Sequence, residues 1–122
     1  MGTKFTVSQD DVNKTKLLNP GWFLCEVSDY QEKAAAKDGS MNRFFKFSVV
    51  DEPNAGVVVQ CVMNEKFMPL LPDFVKSFGA TFEVGATFDL EDTKGRKIMV
   101  HVKRGEYNGR PTNEVDGFRA AS

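Results

Sequence analysis

The sequence predicts a mainly β domain, in which five short strands curl around one short helix and a hairpin arm follows at the C-terminal end. Three observations predict it. From Gly21 onward apolar and polar residues alternate through most runs. One segment alone, Leu70 to Phe78, switches to helical spacing, and Gly, Pro, Asn and Asp punctuate the chain at short intervals. With 122 residues, 41% of them hydrophobic, there is material for one core and not for two.

Residues 1–20 are polar, rich in Asp, Lys, Asn and Thr, and read as an N-terminal arm or short edge strand closed by the turn signal "NPG". Residues 21–122 form the single domain. Trp22 to Tyr30 is the first strand, with Phe23, Cys25 and Val27 on one face and Trp22, Leu24, Glu26, Ser28 and Tyr30 on the other. "EKAAAKDGSMN" is a connection turning at Asp38-Gly39, although its alanines can carry the first strand onward through a bulge. Met41 to Val50 is the second strand, with Phe45, Phe47 and Val49 opposite Phe44, Lys46 and Ser48. After the polar turn "DEPNAG", Gly56 to Asn64 is a third, β-branched strand.

Leu70, Leu71, Phe74, Val75 and Phe78 then recur at helical spacing, with Pro69 and Pro72 suited to a first turn and Gly79 to a stop. Thr87 to Leu90 is the expected fourth strand and "EDTKG" a turn. Ile98, Val100 and Val102 form the apolar face of a long fifth strand, which "YNGR" folds back on a last extended piece through Phe118. The resulting order, β-β-β-α-β-β, is that of the OB-fold, a partly open five-stranded Greek-key barrel. A different small barrel, or a β-sandwich with a helical insertion, would use similar elements.

No run approaches the roughly 18 apolar residues that span a bilayer, and the polar start lacks a secretory stretch, so a soluble, cytoplasmic protein is expected. "MGTKFT" matches the myristoylation pattern through Gly2 and Thr6, a pattern short enough to recur by chance. Cys25 and Cys61 lie in apolar runs and are expected as core thiols rather than a disulfide or metal site. One histidine and no C-x-x-C pair leave zinc without a ligand set, and no cofactor motif is present.

Charge is the informative anomaly. The chain has a net charge of -1, yet "KGRKIMVHVKRGEYNGR" carries Lys94, Arg96, Lys97, Lys103, Arg104 and Arg110 against Glu106 alone. Binding a single strand regardless of sequence takes cations that track phosphates and aromatic faces that stack bases. The alternation places Phe44, Lys46, Lys97, Met99, His101 and Lys103 on the outer face. Trp22, Tyr30, Phe44 and Tyr107 are the stacking candidates. Arg43, Lys46, Lys94, Arg96, Lys97, Lys103, Arg104 and Arg110 are the phosphate candidates, with His101 among them on the outer face. Arg43, Lys46, Lys97 and Lys103 are expected to converge on one concave face. Against this, large aromatics are mostly buried, so Trp22 and Phe44 are expected to be partly covered by the arm or a second copy, and edge lysines also block aggregation.

The spacing of "GWFLCEV", "MNRFFKFSVVD", "LLPDFVKSFG", "FDLEDTKGRKIMVHVKR" and "YNGRPTNEVDGF" resembles an uncharacterised family of short phage-encoded proteins of replication and recombination modules. The resemblance runs from Gly21 onward and implies an OB-fold that binds single-stranded DNA in the cytoplasm of a bacterial host.

Catalysis is not expected. Asp89, Glu91 and Asp92 could hold magnesium, but they fall where a turn is expected, and no phosphate loop or nucleophile elbow exists. The expected function is sequence-independent binding of single-stranded DNA, with RNA the other polymer such a groove takes. The rival is an OB-like module that docks on a replication, recombination or host protein; a structural virion or scaffold barrel is a weaker third. A homo-oligomer is compatible with each.

Overall fold

The computed structural model describes residues 4–121. Gly2, and with it the myristoylation pattern, lies outside the described residues. One antiparallel five-stranded sheet dominates: β1 (Gly21–Ala34), β2 (Met41–Val49), β3 (Val58–Asn64), β4 (Lys97–Tyr107) and β5 (Arg110–Ala120), in the order β3-β2-β1-β4-β5. Two short helices accompany it, α1 (Gln9–Thr15) before the sheet and α2 (Leu71–Ser77) between β3 and β4.

The long first strand organises the sheet. Its first half, Gly21 to Glu26, pairs with β4, and Cys25 to Ala34 pairs with β2. At Ser28 the β2 register slips, so Val27 faces Phe47 but Asp29 faces Lys46, and the Ser28 hydroxyl donates to the Lys46 carbonyl (3.1 Å). A bulge of one residue exchanges the two faces of everything after it. Cys25 and Val27 point inward before it, and Tyr30 points inward after it.

The core is a cluster of rings and β-branched side chains. Phe74 of α2 plugs it, with ring centroids 4.7 Å from Phe45 and 5.0 Å from Phe118. Pro72 sits in the first turn of α2, and Gly79, at φ +80, leads the chain out of it. Cys25 and Cys61 are buried free thiols, both pushed up to about 12 by burial, with Asp51 adding to the effect at Cys25.

Two expected elements differ. The arm is not an edge strand: Ser8 and Asp11 form a reciprocal capping box that starts α1. Leu18 then sinks into the core while Asn113 and Arg104 hold the arm's backbone. Thr87 to Leu90 forms no strand. Asp89 accepts from the Glu91 amide (2.9 Å) and Thr93 donates to the Leu90 carbonyl (2.7 Å), local bonds that favour a 3-10 turn at Glu91–Thr93 over a ladder. The sheet still has five strands, because the piece expected as a hairpin arm is β5 itself. Its turn has Asn108 at φ 52 and Gly109 at φ 78, the positive angles that a two-residue hairpin requires.

No ladder joins β3 to β5, so the sheet is not closed. The two edge strands lie on either side of a gap of about 340 Å³, lined by Gln60 to Met63 on one flank and Asn113 to Val115 on the other. Among the described residues no helix is long and apolar enough to cross a membrane.

Candidate nucleic-acid interface

The outer side of the sheet carries two separate clusters. The first is a groove over β2 and β3. Phe44 and Lys46 of β2, Gln60 of β3, and Asp29, Gln31 and Lys33 from the part of β1 beyond the bulge line a depression of about 260 Å³. Lys46 and Gln60 also line a neighbouring depression of about 490 Å³, whose far wall is Tyr107, Arg110, Pro111 and Thr112 of the β4–β5 hairpin, with Thr15 and Leu17 of the arm at one side. The shared pair joins them into one surface.

The groove's lining is net cationic. Lys33, Lys46 and Arg110 supply three cations against the single carboxylate of Asp29, and Asp29 already accepts from the Gln31 amide (3.1 Å). Among the described residues Lys46 and Arg110 form no ion pair. Tyr107 is 72% exposed and offers a ring face to solvent. Phe44 is half-buried, with the Lys33 ammonium 5.7 Å from its centroid.

The second cluster lies where β1 pairs with β4 and β5. Trp22 meets His101 edge-on at 5.0 Å, and the Arg119 guanidinium covers the indole at 4.2 Å. The β4–β5 register slips beside His101, and the extra residue, Asp116, places its carboxylate 2.5 Å from Nδ1 of His101. The backbone at Gly117 passes close beneath the pair: a Cβ there would come 3.3 Å from the His101 Cβ, so a side chain would have to shift His101 by a few tenths of an ångström. Lys97 and Lys103 flank the cluster, Lys103 reaching Glu114 at 3.8 Å.

The expected basic residues therefore do not converge on one face. Arg43 shares the inward parity of Phe45 and Phe47, and its guanidinium contacts Glu32 (4.0 Å) and donates to the Met68 sulfur (3.4 Å), away from Lys46. Lys94 pairs with Glu91 (3.2 Å). Arg96 donates to the Phe78 carbonyl (3.3 Å) and lies over its ring, holding the end of α2. Arg104 donates to the Leu18 carbonyl (2.9 Å) and holds the arm. Tyr30, expected outward, is 3% exposed, packs on Phe45 at 4.7 Å and donates to Glu32 (2.7 Å). Burial first, and then that hydrogen bond, push its phenol up.

Sequence alternation misses Lys33, Gln31 and Gln60. Lys33 and Gln31 reach the groove only because the Ser28 bulge reverses the parity of β1, and their sole sequence signal is that β1 can continue through the alanines. At the end of the groove side, Asp38 caps the β1–β2 turn. Hydrogen bonds from Ser40, then from Lys66 (2.9 Å), hold its carboxyl down at about 2.

Comparison with known proteins leaves the argument to this geometry: no family model matches the chain, and no curated protein matches it with significance.

Proposed function

We propose that the chain is an OB-fold-like protein that binds single-stranded DNA without sequence preference, by binding rather than catalysis. The observation that carries the reading is the continuous groove in which Lys46 and Gln60 link Phe44 and Lys33 to Tyr107 and Arg110. Cations spaced along it suit successive phosphates, and two aromatic rings suit bases of any identity. The OB-fold reading is supported by the sheet order, by the sharing of β1 between β2 and β4, and by a core-plugging helix after β3. In that fold the second and third strands and the loop between the fourth and fifth carry ligands, and this groove lies over the corresponding elements. A setting in phage replication or recombination, within the cytoplasm of a bacterial host, follows from the sequence resemblance.

Fluorescence anisotropy with labelled oligo-dT at low salt tests the reading. Neutralising about three phosphates predicts a slope of about -2 for log affinity against log salt. Absence of binding at tens of micromolar protein sinks the proposal and favours the protein-docking module in its place.

A further inference from the structure

A second groove, sharing no residue with the first, opens between α2 and the segment that follows it. Met68, Leu71, Val75, Phe82, Val84 and Phe88 are its apolar wall, and its volume is about 370 Å³. Phe82 and Val84 project into solvent instead of filling the core. The backbone from 81 to 88 belongs to no ladder. Its lining holds one carboxylate, Glu83, and one cation, Arg43, whose guanidinium is engaged by Glu32 and the Met68 sulfur, while the segment along one side is acidic: residues 80–92 contain Glu83, Asp89, Glu91 and Asp92 and no Lys or Arg. An apolar groove bordered on one side by an acidic segment suits an extended stretch that alternates apolar side chains and carries a cation on that side.

The chain itself contains such a segment. Lys4 to Val7 is unpaired by any strand, with Phe5 at 74% and Val7 at 65% exposure on alternate positions and Lys4 beside them. Two large apolar side chains on alternate positions are thus left in water just ahead of a capped helix.

We propose that residues 4–7 of one copy dock in the groove between α2 and residues 81–88 of a second copy, seating Phe5 and Val7 against Leu71, Phe82 and Val84 with Lys4 facing Glu83. A reciprocal exchange makes the contact isologous, so each dimer contains it twice. The inference stands independently of nucleic-acid binding.

Sedimentation velocity from micromolar to submillimolar protein is the test. A concentration-dependent monomer–dimer equilibrium is expected, weakened at least about tenfold by Phe5→Ser or by Val84→Asp, the loss of one buried apolar side chain at each contact. Both residues are exposed in the single chain, so the variants keep their circular dichroism. Glu83→Lys should weaken the dimer and the added Lys4→Glu should restore it. A chain monomeric throughout, or a dimer indifferent to Phe5→Ser and Val84→Asp, overturns the proposal. So does a monomer whose groove takes up an unrelated apolar peptide.

Discussion

The two outer clusters contain similar residue types, yet their charges are in opposite states. Around Trp22 each basic side chain except Lys97 is already engaged: His101 with Asp116, Lys103 with Glu114, Arg119 with the indole face. Over β2 and β3, Lys46 and Arg110 lack such partners among the described residues and Tyr107 offers a bare ring. A phosphate arriving at the Trp22 cluster must displace interactions that exist, whereas over β2 and β3 it meets Lys46 and Arg110, whose alternative is water. Availability, more than composition, separates a binding face from a self-satisfied one.

The largest effect should come from reversing charge in the groove. Lys46→Glu with Arg110→Glu removes two of the three groove cations and adds two carboxylates, so oligo-dT affinity at low salt should fall by at least about a hundredfold. The salt slope should collapse towards zero. Anisotropy reads both, and retention of affinity would transfer the site elsewhere. Next is Tyr107→Ala. Stacking is worth about 1–3 kcal/mol per base, which predicts a loss of roughly five- to a hundredfold with the salt slope unchanged. The exposed hairpin tip should fold without the ring, so its thermal midpoint should stay close to the parent's.

The other cluster supplies the contrast. Lys97→Glu with Lys103→Glu should alter affinity by no more than about twofold, since these charges act on the groove only through screened solvent. Trp22 is the only tryptophan, so its fluorescence reports this face alone. Saturating oligo-dT should leave that emission unchanged while anisotropy rises. Strong quenching would place bases on Trp22 and reverse the assignment of the two faces.

Much of this architecture was legible from alternation. The inward stripes Phe45-Phe47-Val49 and Ile98-Val100-Val102, the α2 spacing and the Asn108-Gly109 hairpin follow from side-chain period and turn chemistry, both local properties. Three things were not legible. A bulge is invisible to a strict period of two, so Tyr30 was expected outside, and Lys33 was missed. The role of an arginine is decided by what the fold brings to it. Arg96 and Arg104 resemble Arg110 in a basic run, but one finds the end of α2 and another the arm's backbone. The short α1 was carried by a polar capping box, Ser8 and Asp11, where hydrophobic periodicity has little to say.

The smallest effect concerns the turn at the end of β1, where the distinction between engaged and available charge is tested by pH. Asp38 is engaged by Ser40 and Lys66, and its carboxyl lies at about 2, below the ordinary 3.8. A carboxyl depressed in the folded state contributes stability that is fully present above the unfolded value, and that is lost as pH falls from about 3.8 through about 2. Lys66→Met removes one of the two partners, so the Asp38 carboxyl should titrate at a higher pH and acid unfolding should begin earlier. Ser40 donates from both amide and hydroxyl, and these bonds remain, so the shift should be partial. Carboxyl chemical shifts followed against pH read the titration, and circular dichroism over the same range reads the unfolding. An Asp38 midpoint that ignores Lys66→Met would mean that Ser40 alone holds the carboxylate. Lys66 would then be a free cation at the end of β3, and the available charge on this side of the sheet would extend beyond the groove.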